Sequence, residues 1–210
     1  MTKAATVLLS VLAVLAWTVL PARAAPLRIV ALGDSLTAGY GLGPGEGFTD
    51  QLQAALKARG QDVEIVNAGV SGDTAAGGLA RLDWSLGEGA DAAIVELGAN
   101  DMLRGFDPAE TRASLDAILK QLSARKLPIL LAGMRAAPNL GPDYAARFEP
   151  IYSQLAEQYG AVLYPFFLDG AAGQPALLQA DGLHPNRAGV AVIVERILPA
   201  VERLIADIPR

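Results

Sequence analysis

The sequence contains no cysteine and only one histidine among its 210 residues. Without cysteine, the protein has no disulfide bonds, no thiolate nucleophile and no cysteine-ligated metal. A single histidine with scattered carboxylates does not provide a cluster of metal ligands. We therefore expect neither a metal nor a cofactor. Stability must then come from a hydrophobic core, which a domain of this length can form.

Basic residues are also scarce. The chain has 17 Lys and Arg against 22 Asp and Glu, which gives a formal net charge of -5. Proteins that neutralise nucleic-acid phosphates need a basic surface, so this balance disfavours nucleic-acid binding. Nothing in the composition requires more than a monomer.

Nucleotide-binding motifs are missing as well. Glycines alternate evenly through the segment 39–47, and no reading frame gives G-x-G-x-x-G or G-x-x-x-x-G-K-[ST]. We therefore interpret this segment as a turn-rich connector that lines the site.

One long apolar run is present, at the N-terminus. Lys3 precedes an apolar stretch from Ala4 to Leu20, and the segment Ala22-Arg23-Ala24 has the small-residue pattern of a cleavage site. This arrangement predicts a signal peptide over 1–24, an exported protein that is periplasmic or secreted, and no stable membrane insertion after cleavage. The alternative is an uncleaved membrane anchor, for which the run is somewhat short.

In 25–210, short apolar runs alternate with longer stretches of helical period. This order predicts one α/β domain, a three-layer α/β/α sandwich with a five-stranded parallel sheet. The predicted strands are Leu27–Leu32, Val63–Asn67, Ala92–Leu97, Pro128–Ala132 and Ala161–Tyr164. The predicted helices are Gly47–Arg59, one that begins at Asp107, Tyr144–Tyr159 and Ala188–Ile205.

In such folds, ligands bind at the carboxyl ends of the strands. The loops expected there are rich in Gly, Asp, Asn and Ser; they span 33–47, 68–78, 98–105, 135–142 and 181–187. These loops are where a functional site is to be sought.

Ser35 lies in the segment Gly33-Asp34-Ser35-Leu36, where the first strand turns toward a helix. A serine at such a turn is exposed, and its own backbone N–H points into the site. The segment is not the G-x-S-x-G elbow of α/β-hydrolases, because Thr37 occupies the place of the second glycine. The alternative is that Ser35 only caps a helix.

His184 and Asp181 lie three residues apart near the other end of the chain. A serine hydroxyl is a weak nucleophile and needs a base within hydrogen-bond reach. Histidine can accept the serine proton and later deliver it to the leaving group, while an aspartate orients the ring. Taken alone, a single histidine is more often a surface or capping residue.

Acyl transfer also needs donors for the tetrahedral oxyanion. Two candidates follow strands: the backbone N–H of Gly72 and the side-chain amide of Asn100. The alternative for Gly72 is a tight turn in which Asp73 or Thr74 caps the next helix. For Asn100 the alternative is an Asx turn.

Four segments, taken in order, resemble the conserved blocks of the SGNH (GDSL) hydrolase family. They are Gly33-Asp34-Ser35-Leu36, Ser71-Gly72-Asp73, Gly98-x-Asn100-Asp101 and Asp181-x-x-His184. The resemblance spans Arg28 to Arg187 and implies the flavodoxin-like fold of that family. It also implies roles: Ser35 as nucleophile, His184 as base, Asp181 as its orienter, and Ser35, Gly72 and Asn100 as the oxyanion hole.

Further segments are similar to the family's group of bacterial periplasmic thioesterases, arylesterases and lysophospholipases. They are 33–40, 96–105, 164–167 and 181–187. This similarity implies a serine hydrolase that cleaves small acyl esters or thioesters through an acyl-enzyme. Two alternatives stay open: an acyltransferase or carbohydrate O-acyl esterase, and a non-catalytic periplasmic binding module.

Two other segments are candidates for binding an acyl chain or an aromatic leaving group. The first is the loop Arg135–Pro142, and the second is Tyr164-Pro165-Phe166-Phe167, directly after the last predicted strand. Ordinary loop and core packing is at least as good an explanation for the two phenylalanines.

Overall fold

Five parallel strands form the centre of the protein. The computed structural model describes residues 25–87 and 89–209. Its strands are β1 Leu27–Gly33, β2 Val63–Gly69, β3 Ala92–Glu96, β4 Ile129–Ala132 and β5 Val162–Tyr164. Each begins within one residue of the predicted start, so apolar runs located the strands well.

The strand order in the sheet is β2-β1-β3-β4-β5. Every neighbouring pair is parallel, with Gly33 of β1 opposite both Gly69 of β2 and Glu96 of β3. The carboxyl ends of all five strands therefore lie along the same edge. Four of the loops selected from the sequence follow β1, β2, β3 and β4 at this edge, and the fifth, 181–187, lies in the connection between β5 and the last helix.

Helices cover both faces of the sheet. Successive β1 residues Ile29, Val30 and Ala31 are all completely buried, which a strand achieves only when both of its faces are covered. Helices α2 and α9 pack on each other, and α9 also packs on β4 and β5; α6 and α8 pack on each other and α8 reaches the same two strands. The predicted three-layer fold is confirmed.

The helices are, in chain order, α1 Ser35–Ala38, α2 Phe48–Ala58, α3 Ala75–Ala80, α4 Leu82–Leu86, α5 Ala99–Leu103, α6 Pro108–Ala124, α7 Pro142–Phe148, α8 Pro150–Tyr159 and α9 Arg187–Ala206. The start of α6 follows its sequence signals. Asp107 accepts a hydrogen bond from Ala109 N at 3.0 Å, and Pro108 occupies the first turn, where its missing N–H costs nothing.

The prediction of one helix over Tyr144–Tyr159 was wrong, because that region contains two helices. The first ends at Phe148 and the second begins at Pro150. A proline has no N–H to donate to the preceding turn, and its ring clashes with the carbonyl four residues back. The helix is therefore interrupted at Glu149, which separates α7 from α8.

The predicted signal peptide over 1–24 lies outside the described residues. Within 25–87 and 89–209, the helices are too short or too polar for any of them to cross a membrane.

Candidate active site

Ser35 is the first residue of the short helix α1, directly after β1. Asp34 caps this helix, because its Oδ1 accepts a hydrogen bond from Leu36 N at 2.9 Å. Ser35 is therefore not the capping residue, and its hydroxyl is available for another contact. The helix ends after one turn at Gly39, whose φ is +80°.

Gly33 allows the close approach that this turn requires. A Cβ built at Gly33 would collide with Thr37 Oγ1 and lie 2.7 Å from Glu96 Oε2. Any larger residue would push α1 away from the end of β3. The glycine of the Gly33-Asp34-Ser35-Leu36 segment thus has a packing role of its own.

The structure brings Asp181, His184 and Ser35 together in one chain of contacts. His184 Nε2 lies 2.9 Å from Ser35 Oγ, and His184 Nδ1 lies 2.6 Å from Asp181 Oδ2. The second oxygen of Asp181 accepts hydrogen bonds from Leu183 N and His184 N at 2.9 and 3.0 Å. These backbone donors, together with the ring of His184, lower the pKa of Asp181 to about 2.

The loop that carries His184 is held by hydrogen bonds from Gln179. Its backbone N–H donates to His184 O at 2.8 Å, and its side chain donates to Pro185 O at 3.0 Å and to Tyr40 O at 2.7 Å. The ring of Tyr40 lies against the imidazole, with centroids 4.6 Å apart. These contacts hold the His184 imidazole in place beside the Ser35 turn.

Asn100 lies in helix α5, just after β3. Its Nδ2 donates to Asp34 Oδ2 at 3.0 Å, so one amide hydrogen fixes the side chain and the other is left for a ligand. Gly98 precedes it with a φ of +109°, and a Cβ there would collide with the Tyr152 hydroxyl. The Asn100 side chain therefore lies beside the Ser35 turn, which does not fit the alternative of a local Asx turn.

Gly72 lies in the turn after β2 with a φ of +86°, a conformation that favours glycine. Val70 N donates to Gly33 O at 3.0 Å, so this turn adjoins the end of β1. Arg104 Nη2 donates to Gly72 O at 2.8 Å. Thr74 does cap the next helix, as the alternative expected, by accepting from Gly77 N at 3.2 Å.

Buried polar groups beneath the site connect the strand ends. Asp34 and Glu96 are both completely buried. Burial raises the pKa of Asp34 to about 6, although hydrogen bonds from Leu36 and Asn100 oppose this shift. Burial and the neighbouring Asp34 charge raise the pKa of Glu96 well above its usual range.

Arg81 connects the ends of β1 and β2. Its guanidinium donates to Gly33 O at 2.8 Å, to Ala68 O at 2.7 Å and to Asp73 Oδ2 at 2.6 Å. Arg81, Glu96 and the contact of Asp34 with Asn100 were not predicted from the sequence. Only Glu96 left a signal, because it is a lone carboxylate in an otherwise apolar strand.

An apolar cavity of about 260 Å³ opens beside Ser35 and His184. Its walls include Met102, Leu103, Met134, Pro138, Phe166 and Leu168. Arg135 lies at the same cavity, with its guanidinium 4.8 Å from the centre of the Phe166 ring. The loop 135–142 therefore contributes to the cavity, as the sequence suggested.

Two other segments, 164–167 and 39–47, were also expected to line the site, and only the first contributes to the wall of this cavity. Phe166 lines the cavity, whereas Phe167 is buried and packs edge-on against Phe48, with centroids 4.9 Å apart. Within the described residues, 39–47 contributes no wall to this cavity, although Tyr40 contacts His184. No group of three His, Asp or Glu side chains in that part of the chain could hold a metal ion.

Comparison with known proteins identifies the relatives of this chain. The sequence profile of the GDSL-like lipase/acylhydrolase family matches residues 31–192. The chain belongs to this family. The resemblance noted in the sequence is therefore confirmed, and the protein is an ester-cleaving hydrolase of the GDSL family.

Full-length relatives support the assignment. The GDSL chain is 40% identical over 192 residues to esterase TesA of Pseudomonas aeruginosa, covering 91% of this chain and 96% of that protein. It is 36% identical over 183 residues to thioesterase 1/protease 1/lysophospholipase L1 of Escherichia coli K12, covering 87% and 86%.

Solved structures of GDSL relatives are also similar. The SGNH-hydrolase family esterase AlinE4 is 49% identical with a TM-score of 0.74, and the alignment covers 87% of this chain and 98% of that one. For the crystal structure of TesA the identity is 39% and the TM-score 0.80, with coverage of 84% and 99%.

Proposed function

We propose that this hydrolase acts through Ser35 as nucleophile, His184 as general base and Asp181 as the residue that orients the imidazole. The observation that carries the proposal is the contact chain from Asp181 Oδ2 through both ring nitrogens of His184 to Ser35 Oγ, with distances of 2.6 and 2.9 Å. Both are within the reach that proton transfer requires.

In the proposed first step, Ser35 Oγ attacks the acyl carbon of the ester or thioester while its proton moves to His184 Nε2. Asp181 accepts a hydrogen bond from Nδ1–H of the ring, which keeps Nε2 free as a base and stabilises the imidazolium. Collapse of the tetrahedral intermediate breaks the bond to the leaving group, and the imidazolium protonates that group. An acyl-serine remains.

In the second step, water attacks the acyl-serine and gives a proton to His184 Nε2. The new tetrahedral intermediate releases the carboxylic acid, and the imidazolium returns the proton to Ser35 Oγ. The cycle consumes one water, and no metal or cofactor takes part in it.

The proposed oxyanion donors are the backbone N–H groups of Ser35 and Gly72 and the side-chain amide of Asn100. Within the described residues, neither backbone N–H donates to another protein group. The amide of Asn100 is fixed by Asp34 through one hydrogen only. Donors held in place in this way stabilise the developing negative charge without reorganisation.

The proposed substrates are carboxylic esters and thioesters with an apolar acyl or aryl part. The apolar cavity beside Ser35 supports this choice, because most of its wall residues have aliphatic or aromatic side chains. The relatives named esterase, arylesterase and thioesterase 1/lysophospholipase L1 support the same range.

We also propose that residues 1–24 are a cleaved signal peptide, that 25–210 is the hydrolase domain, and that the protein is an exported monomer. The charged start, apolar run and small-residue site support export. N-terminal sequencing of the protein recovered outside the cytoplasm should begin at Ala25. A protein that retains residues 1–24 in the membrane fraction would contradict this proposal.

Replacing Ser35 with alanine tests the mechanism. We expect Ser35→Ala to lower kcat on p-nitrophenyl esters by roughly a thousandfold or more, with little further loss when His184→Ala is added, because the two residues act as one unit. Ser35→Ala should also lose reaction with a fluorophosphonate probe.

Ser153→Ala is the matched control, because Ser153 is an exposed serine on α8 whose hydroxyl donates to Pro150 O, away from the site. Turnover by Ser35→Ala close to that of the control would overturn the proposal. Product analysis in the presence of alcohol acceptors separates hydrolysis from the acyltransferase alternative, which predicts acyl transfer in excess of free acid.

A further inference from the structure

Glu96 is a completely buried acid at the end of β3, and the proposed mechanism does not use it. In the described part of the chain, no basic side chain forms an ion pair with it. Buried carboxylates without a cation are costly, so a folded protein rarely keeps one without a reason. The contacts of Glu96 indicate what that reason is.

One oxygen of Glu96 contacts the turn that carries Ser35. Thr37 Oγ1 donates to Glu96 Oε2 at 2.7 Å, and Asp34 N donates to the same oxygen at a longer 3.4 Å. Asp34 is the residue immediately before Ser35, and Thr37 lies two residues after it. A single oxygen atom therefore holds the turn from both sides of the nucleophile.

The other oxygen, Oε1, is buried and has no hydrogen-bond partner among residues 25–87 and 89–209. An oxygen without a donor is more costly to bury on a charged carboxylate than on a neutral acid, so this contact pattern favours the neutral form. Burial and the neighbouring Asp34 carboxylate raise the pKa of Glu96, which agrees with the neutral form.

Glu96 also lies on the strand that leads to Asn100. Only Leu97, Gly98 and Ala99 separate the two residues, and the Asn100 amide contacts Asp34. The Ser35 turn is thus attached to the β3 end twice, at Glu96 and at Asn100. Gly33 leaves room for these contacts, since a Cβ there would lie 2.7 Å from Glu96 Oε2.

We propose that Glu96 is a positioning residue that sets the distance between the nucleophile Ser35 and the oxyanion donor Asn100 by accepting the Thr37 hydroxyl. This inference rests on the proposed roles of those two residues. Nucleophile and donor come from different strands, so a side chain that connects the strand ends controls their separation. Displacements of about 1 Å between such groups can lower rates by roughly a hundredfold.

The test compares kcat for one substitution that keeps the contact with Thr37 and two that remove it. Glu96→Gln keeps a carbonyl oxygen for Thr37 and should retain kcat within about threefold, whereas Glu96→Leu removes the acceptor and should lower kcat by roughly tenfold to a hundredfold with KM nearly unchanged. Thr37→Val should lose a similar factor, and adding it to Glu96→Leu should cost no more, because both remove the same contact.

Exhaustive fluorophosphonate labelling counts the active sites, so that kcat is expressed per folded enzyme. Leu122→Ala is the control for lost stability, because Leu122 is fully buried on α6 and its loss should lower the melting temperature without changing kcat per site. If Glu96→Leu does not fold, Thr37→Val against Thr37→Ser makes the same comparison, since serine keeps the hydroxyl.

Two results would overturn the proposal: a Glu96→Leu enzyme with wild-type kcat per site, or a Glu96→Gln enzyme as slow as Glu96→Leu. Ser35→Ala in the same assay separates this outcome from failure of the proposed function. If Ser35→Ala is inactive while Glu96→Leu keeps its kcat, only the positioning role is wrong.

Discussion

The two halves of the candidate site are held in place differently. Ser35, Gly72 and Asn100 each follow a strand of the sheet, whereas Asp181 and His184 lie in the long connection between β5 and α9. The first half rests on the buried carboxyl groups of Asp34 and Glu96 and on the partly buried guanidinium of Arg81. The second half is more exposed, with side-chain exposures of 36% for Asp181 and 21% for His184.

Short-range hydrogen bonds give the second half its geometry. The Asp181 carboxylate accepts hydrogen bonds from Leu183 N and His184 N. Gln179 donates hydrogen bonds to the carbonyl oxygens of His184 and Pro185. This loop meets the first half through the hydrogen bond from Gln179 to Tyr40 O, the Tyr40 ring against the imidazole, and the contact of His184 Nε2 with Ser35 Oγ. We call the first half, which contains the proposed nucleophile Ser35, the nucleophile half, and the second half, which contains the proposed base His184, the base half. The nucleophile half should depend on the folding of the core, whereas residues of the base half should be replaceable with little loss of stability.

The largest effect is expected for a substitution in the base half, which should lower kcat without a comparable loss of stability. Asp181→Asn keeps the backbone contacts but no longer orients the imidazole, so we expect kcat to fall by roughly a thousandfold to ten-thousandfold. The melting temperature should fall by less than in Leu122→Ala, because the side chain is exposed and asparagine keeps an acceptor for the two backbone N–H groups. Ester hydrolysis and thermal unfolding measure the two quantities.

Asp169→Asn is the control for Asp181→Asn, since Asp169 is an exposed carboxylate of the same connection that pairs with Arg196. Its kcat should equal that of the wild type. A large loss of stability in Asp181→Asn would show that the base half is not independent of the core.

The next effect concerns the nucleophile half and should appear in both activity and stability. Asn100→Ala removes a proposed oxyanion donor, which should lower kcat by roughly a hundredfold to a thousandfold. It also leaves the buried Asp34 Oδ2 without its donor, which should lower the free energy of unfolding by about 1–3 kcal/mol. Steady-state kinetics and urea unfolding check both values.

Asn139→Ala is the matched control for this prediction, because Asn139 is exposed in the loop beside the cavity. It should leave both quantities unchanged. An Asn100→Ala protein that loses activity but no stability would contradict the idea that catalysis and the buried contacts are linked here.

The smallest effect is a difference in how stability depends on pH. The pKa of Asp34 is raised from 3.8 to about 6, so the folded protein binds more protons than the unfolded chain in this window. Asp34 therefore lowers stability as pH rises from about 4 to about 6. The pKa of Asp181 is lowered to about 2, so its contribution is present above 3.8 and is lost as pH falls toward 2.

Unfolding curves between pH 4 and 6 separate the two acids. Asp34→Asn should gain stability relative to the wild type as pH rises through this range, whereas the difference between Asp181→Asn and the wild type should stay constant. Parallel curves for Asp34→Asn and the wild type would show that Asp34 titrates as an ordinary surface acid.

Much of this organisation could be predicted from the sequence because it is local. Apolar runs located all five strands, and Asp107 with Pro108 marked the start of α6. The three-residue spacing of Asp181 and His184 allowed their contact, which the loop then makes at 2.6 Å. The error over Tyr144–Tyr159 came from reading apolar periodicity through Pro150.

Only the tertiary structure decided the contacts between residues that are far apart in the chain. His184 meets Ser35 across 149 positions, and Glu96 meets Thr37 across 59. These pairs depend on strand order and register, which no local pattern encodes. The sequence by itself determined which groups are candidates for acyl transfer. The parallel sheet, by aligning the carboxyl ends of its strands at one edge, decided which of them lie close together.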